Sequence, residues 1–392
     1  MHPSPAPDAA DRHTWLLAGL LLFLLTFPIY LSTLAPGVYG FDSAELATGV
    51  YTQGIVHPPG YPLYLLIGKL FTLLPVGDVA YRLNIMSAFF GSVTVVVLFF
   101  AISNIVKKTP AAFAAALFLA ISNYFWQMAL VTEVYTVFTA FLAADLLVVS
   151  LWWKRGDTRY LLVFALLYGL TLTVHTSGIL FAPGFAWLIL RSPFWERAHW
   201  RLVAWMLLLF LGALCLPYIY LAFRAGAHPP LNYSRIYPQA DLTTAEGLWW
   251  FFSGKAYTIF AFAYPFREVP SQIWQFAGYL WRNYLGVGVI LGCLGVLRLW
   301  RQRRAWAVGL ALMFAANASF YINYRVLDKD TMFLPAYEIW AVFLAAGLVQ
   351  AAGLFERYLA EGLGRTALRG SQAAVSALVL CLGLGRIPAG SI

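Results

Sequence analysis

Residues 40–70 read GFDSAELATGVYTQGIVHPPGYPLYLLIGKL and follow directly on the apolar run Trp15–Leu34. The stretch carries Asp42 and Glu45 three residues apart, then His57 ahead of Pro58, Pro59 and Gly60. Positions i and i+3 share one face of a helix. GFDSAELATGVYTQG therefore reads as a short helix lying along a surface, closed by Gly54. Two readings of its acids stand together. Asp42 is an N-cap with Glu45 as the reciprocal member of a capping box. Alternatively, both are working carboxylates, and a helix N-terminus keeps such a group ionised. HPPGYP cannot be helical, because each proline removes a donor and pushes the residue before it into extended geometry. His57 thus sits on a rigid elbow within reach of the acidic helix, or marks a plain turn back toward the bilayer. LYLLIGKLFTLLP forms a second surface helix, and Arg82 begins the next apolar run as a site cation or a snorkelling anchor.

A bilayer comes into the argument through composition. Of 392 residues, 61% are hydrophobic and only 11% charged, with a mean hydropathy of +0.73. No soluble domain is so poor in charge, so the chain is an all-α polytopic membrane protein. Its net charge of +9 does not point to nucleic acid, because basic residues in such a protein set topology and touch lipid headgroups. Cys215, Cys293 and Cys381 lie in apolar runs without CxxC spacing and read as packed thiols. A span needs about 20 apolar residues. Eleven are expected, near residues 14–34, 80–106, 110–130, 133–153, 159–174, 177–191, 201–222, 281–299, 305–324, 333–353 and 370–386. The first is too long for a signal peptide and lacks an A-x-A site.

Charge then orients the bundle. With residues 1–13 as a cytoplasmic tail, one set of turns holds Lys107, Lys108, Lys154, Arg155, Arg191, Arg298, Arg301, Arg303 and Arg304. The opposite turns are poor in basic residues, as the positive-inside rule requires. EGLWWFFSGKAYTIFAFAYPF, residues 246–266, is apolar enough to tempt a span assignment. Crossing there would put RLWRQRR outside, so the stretch is expected to be interfacial, within a long outer loop 224–280. Residues 35–79 form the first outer loop, residues 14–353 the catalytic module, and residues 354–392 a cytoplasmic turn and last span. The sparse acids gather on the outer face.

At this point the motifs resemble a known family. FDSAELATGVYTQGIVHPPGYPLYLLIGKLFTLLPVGDVAYRLNIMSAFFGS is similar to a family long catalogued as a domain of unknown function and now linked to transmembrane protein O-mannosyltransferases acting on receptor ectodomains. Asp42, Glu45, His57, Pro58, Pro59, Gly60, Pro62, Leu63, Arg82, Asn84, Ser87 and Ala88 match its pattern, whereas Phe41, Ala44 and Leu46 depart mildly from it. Later pieces resembling the family are VTEVYTVFTAF with Glu133 and Tyr135, GLTLTVHTSG with His175, and YRVLDKDTMFLP with Asp328. The resemblance implies a GT-C fold: a multi-span helical glycosyltransferase using a polyprenyl-phosphate-linked sugar, its first outer loop bearing an essential acid on paired surface helices. It does not fix which sugar is moved.

A lipid-phosphate sugar donor needs an apolar groove for its tail, cations or oriented donors for its phosphate, and a base for the incoming hydroxyl. A single displacement inverts the anomeric centre, and the phosphate leaves already charged. One key base suffices, assigned here to Asp42, with Glu45 orienting the acceptor. Cations expected on the outer face are Arg82, Arg224, Arg235, Lys255, Arg267, Arg282, Arg325 and Lys329, of which Arg82 and Arg325 are the expected phosphate contacts. Glu133 reads as a helix cap or a sugar ligand, His175 as a site or structural histidine, and Asp328 and Asp330 as substrate ligands or partners of Lys329 within a turn. Asp42, Glu45 and His57 can together offer a divalent metal hard ligands, but none is assigned. The expected co-substrate is a lipid-phosphate sugar, with a protein or glycan acceptor at the outer face of a bacterial plasma membrane. A flippase of lipid-linked sugars would require charges reaching both faces and inverted repeats, neither of which is evident. A non-catalytic scaffold would leave the carboxylate pair without purpose beyond capping.

Overall fold

The computed structural model describes residues 9–40 and 42–362, and among them the regular secondary structure is helical, with two isolated backbone bridges and the rest in turns and loops. In chain order the helices are α1 (Ala9–Ser32), α2 (Ser43–Thr52), α3 (Pro62–Phe71), α4 (Val79–Val106), α5 (Thr109–Ala120), α6 (Asn123–Ala129), α7 (Tyr135–Arg155) and α8 (Arg159–Val174). There follow α9 (Ala182–Leu190), α10 (Trp200–Gly226), α11 (Ala245–Phe252), α12 (Val269–Asn283), α13 (Val287–Gln302), α14 (Arg304–Ile322), α15 (Lys329–Met332) and α16 (Leu334–Gly362).

Among the described residues, six single helices are long and apolar enough to cross a bilayer: α1, α4, α7, α10, α14 and α16. Two bent pairs raise the number to eight, α5 with α6 at 66° and α12 with α13 at 102°. The expected count of eleven is therefore not reached by length alone. Helix α8 and the 3-10 turn Thr176–Phe181 with α9 are apolar but short, and meet at His175. The run 370–386 lies outside the described residues. The span expected at 281–299 starts later. Residues 281–283 end α12, and the chain turns at Gly286, whose φ of +66° and contact with the Trp281 ring leave no room for a Cβ.

Burial sorts the bundle. In the most apolar windows of α7 and α16, 72% of residues are buried, against 22% in α1 and α10. The former pair is the core, and the latter helices turn most of their surface outward, as a lipid-facing helix must. Small residues bring α13 and α16 together: a Cβ on Gly295 would strike the Phe343 carbonyl, and one on Gly347 the Leu291 carbonyl. Polar links are few and buried. Thr94 and Thr139 hydroxyls meet at 3.1 Å between α4 and α7. Asp145, fully buried on α7, accepts from the Thr171 hydroxyl on α8 at 2.6 Å through Oδ2, while its Oδ1 is buried without a hydrogen-bond partner. Cys215 and Cys293 are free and exposed on the outer surfaces of α10 and α13, so these two thiols are not packed in the core. Cys381 lies outside the described residues.

The ends of the bundle differ in character. At one end the basic turns meet: the Lys154 ammonium donates to Asn104 at 3.1 Å, and Lys107 feels the repulsion of Arg303 strongly enough to be depressed from its usual range. At the other end lie residues 33–78, the turn before α7, the His175 junction, residues 227–286 and the turn between α14 and α16. Residues 246–266 make no continuous helix. They are divided among α11, a 3-10 turn over Lys255–Phe260 and the bridge between Ala261 and Tyr324.

Candidate active site

An open cavity of about 740 Å³ lies at that second end, floored by the first loop and walled by the His175 junction, residues 249–261 and the turn after α14. Its floor begins with α2. Asp42 occupies the N-cap position, but its side chain caps nothing. Glu45 does not reach back to it either. The capping-box reading is therefore wrong for both residues, and the reason is visible twelve residues on. Glu45 Oε1 accepts the His57 backbone N–H at 2.6 Å, and Oε2 pairs with His57 Nδ1 at 3.0 Å. One carboxylate thus clamps the elbow through main chain and ring together. The helix is closed by Gln53 in the left-handed region, with the Gly54 N–H returning to the Gly49 carbonyl at 2.8 Å.

The elbow itself needs Gly60. Its φ is +90°, and a Cβ there would press on Phe251 and Leu221 at under 3 Å. Tyr61 follows at φ 42° and returns its hydroxyl to His57 Nε2 at 2.9 Å. Both ring nitrogens of His57 are therefore engaged. Burial opposes its charged form, but the hydrogen bond and charge of Glu45, with the charge of Asp42, outweigh burial and hold the imidazole above its usual value.

Asp42 is held from behind. Its backbone N–H donates to Glu133 Oε1 at 2.9 Å, across from the turn before α7. Its carboxylate faces the cavity with 53% of the side chain exposed, 3.7 Å from His57 Nε2. Desolvation raises Asp42 above the usual carboxylate range. The charge of His57 opposes the rise, and those of Glu45 and Asp328 add to it. Glu133 is 2% exposed. Burial, reinforced by the charge of Asp42, pushes it up to about 8 against the pull of two backbone N–H donors. At neutral pH it is mainly a neutral acid whose Oε1 accepts the Asp42 N–H.

Of the residues singled out from the sequence, Asp42, Glu45, His57, Glu133, Tyr135, His175 and Asp328 all line the cavity. His175 stacks on Phe138 at 5.2 Å, and its Nδ1 accepts the Ser177 N–H at 3.2 Å, which leaves the neutral ring's proton on Nε2. Arg82 is elsewhere. Its guanidinium donates to the carbonyls of Thr72, Val76 and Gly77 at 2.7–3.0 Å, closing the loop after α3, so three of its five donors, one on each nitrogen, go to backbone. Arg325 does not line the cavity. It is exposed at the rim between the lining residues Tyr324 and Val326, with its guanidinium 5.6 Å from the Tyr264 ring. Lys329 does not pair with its flanking acids; it is buried, donating to the Gln272 and Tyr264 side chains, and ties α15 to α12.

Three tyrosines complete the site that sequence reasoning did not select. Tyr61, Tyr233 and Tyr257 present rings at steep angles to His57, at centroid distances of 5.1, 6.2 and 5.9 Å. Tyr61 lay inside the quoted HPPGYP motif and was legible as part of the elbow. Tyr233 and Tyr257 lie in the long loop, where nothing local marks them. The ligand atoms of Asp42, Glu45 and His57 fall within 4.8 Å of one another, close enough to surround a metal ion. Glu45 and both His57 nitrogens are already committed to one another and to Tyr61, however, so a cation would have to open that network. Asp42 is the member whose carboxylate neither caps α2 nor takes part in those hydrogen bonds, standing 3.7 Å from His57 Nε2.

Comparison with known proteins follows the same motifs. Residues 42–198 match the family model described as the protein O-mannosyl-transferase TMEM260 N-terminal domain. The chain is 28% identical over 278 residues to protein O-mannosyl-transferase TMEM260 of Mus musculus, an alignment covering 69% of this chain and 38% of the mouse protein. It is 27% identical over 192 residues to the Dictyostelium discoideum protein O-mannosyl-transferase tmem260, covering 44% of this chain and 23% of that one. The chain thus spans well under half the length of these relatives. Among solved structures it is similar to ArnT from Cupriavidus metallidurans bound to undecaprenyl phosphate, with a TM-score of 0.58, 13% identity, and coverage of 97% of this chain and 71% of ArnT. The apo form of ArnT gives a TM-score of 0.53 at the same identity. At that identity the likeness is one of fold, and it bears out the GT-C-type helical bundle.

Proposed function

From a chain that has this fold and resembles the TMEM260-type protein O-mannosyl-transferases, we propose a membrane glycosyltransferase. It moves a sugar, with mannose the first candidate, from a polyprenyl-phosphate donor to a hydroxyl on a protein acceptor at the extracytoplasmic face. The observation that carries the reading is the state of Asp42: a cavity-facing carboxylate, committed to no cap, on a loop fixed from behind by Glu133. A purely structural acid would be satisfied locally.

In this reading Asp42 removes the acceptor hydroxyl's proton as its oxygen attacks the anomeric carbon. Partial burial keeps the carboxylate basic enough for the task, and the charge of His57, whose Nε2 stands 3.7 Å away, opposes that rise. The new C–O bond forms as the bond to phosphate oxygen breaks, and the phosphate leaves with the electron pair. One displacement inverts the centre. Glu45, first expected to orient the acceptor, is assigned here to hold the elbow that carries His57, a reading its two contacts to His57 support. Polyprenyl-phosphate use is supported by the lipid phosphate bound in ArnT, whose fold is similar. The outer-face assignment rests on the basic turns gathered at the opposite end. The decisive experiment incubates purified protein with radiolabelled polyprenyl-phosphate mannose and a serine- or threonine-containing peptide. Labelled peptide of inverted configuration is expected; label that only changes membrane leaflet would identify a flippase.

A further inference from the structure

The charge of the cavity narrows the acceptor. Among the described residues, four carboxyl groups line it, Asp42, Glu45, Glu133 and Asp328, and no lysine or arginine does. The basic side chain beside them, His57, is taken up by Glu45 in a direct pair at 3.0 Å. Glu133 is mainly neutral at pH 7, as above. Asp42 and Asp328 are the other two carboxyl groups on the lining, and the charge of Asp328 is felt at Asp42. Positive charge sits outside the lining. Arg325 and Lys255 are exposed at the rim, next to the lining residues Tyr324, Val326 and Gly254. The cations near the mouth thus stand at the rim, and the carboxyl groups stand on the lining.

Resting on the transferase reading above, we propose that the cavity selects its acceptor by charge. It admits a hydroxyl-bearing peptide segment that is neutral or basic beside the hydroxyl, and it rejects one that is acidic there. Like charges brought together in a partly desolvated cleft are strongly disfavoured, and such repulsion is an effective route to specificity. The test uses purified full-length chain, labelled polyprenyl-phosphate mannose and three synthetic peptides with one threonine flanked by lysine, alanine or glutamate. The lysine and alanine peptides are expected to accept label. The glutamate peptide should lose about tenfold or more in kcat/KM, mostly through KM, and Asp328→Asn should narrow that ratio. Equal use of acidic and neutral peptides overturns the proposal, as does a ratio unchanged by Asp328→Asn in protein shown to be folded by gel filtration. Failure of all three peptides overturns the protein-acceptor reading itself, and this proposal with it.

Discussion

Glu45→Gln separates a clamp from an acceptor ligand. The glutamine oxygen can still accept the His57 backbone N–H, now bound at 2.6 Å. Its amide nitrogen, however, faces Nδ1, which donates to the Glu45 carboxylate at 3.0 Å in the wild type. Two donors cannot share that contact, so the ring must lose its proton or swing away. A hydrogen bond to a charged group contributes about 1.5–3 kcal/mol, which corresponds to roughly a tenfold to hundredfold effect. The sign with pH follows from the raised His57 pKa. A histidine raised on folding adds stability that is complete below about 6.5 and fades as pH rises through the higher folded value. In the wild type, Tm measured in detergent should therefore fall across that window. In Glu45→Gln the slope there should flatten, and transfer should drop about tenfold or more at neutral pH. An unchanged slope with a simple rise in acceptor KM would refute the clamp and restore the orienting role.

Further outcomes follow from the same geometry. Because Glu133 is pushed up to about 8, Glu133→Gln should keep most activity at pH 7, since the amide oxygen can accept the Asp42 N–H; Glu133→Ala should lose it, as read by transfer rate. Arg82→Ala frees three backbone carbonyls and should lower Tm while leaving donor KM unaltered, and Arg82→Lys should rescue Tm only in part; a raised donor KM would return Arg82 to the phosphate. Cysteine placed at Ser253 should label from outside intact cells and at Gln302 should not, both positions being exposed at opposite ends; the reverse pattern would invert the topology.

Much of this was legible in the chain because its signals were local. Apolar runs of span length reported α4, α7 and α16, and the three prolines of HPPGYP reported an elbow whatever lay around it. The choice between cap and catalyst for Asp42 and Glu45 was not legible, since it depends on whether Glu45 finds His57 or the N-terminus of α2, twelve residues away or three. Arg82 misled because an arginine among apolar residues looks the same whether it meets a phosphate or the carbonyls of a turn. Tyr233 and Tyr257 were invisible because only the path of the long loop brings them to His57. The span count failed where the chain bends. Composition registers apolar length, but the 102° turn at Gly286 shows only in φ and in the packing of Trp281.

The central claim is that Asp42 is a base and not a cap, and one substitution tests it most directly. Asparagine caps helices about as well as aspartate, yet cannot take a proton. In the peptide transfer assay, Asp42→Asn protein with wild-type Tm should lose roughly 10²–10⁴-fold in rate, the usual consequence of removing a positioned general base. Wild-type transfer by that folded variant would contradict the account.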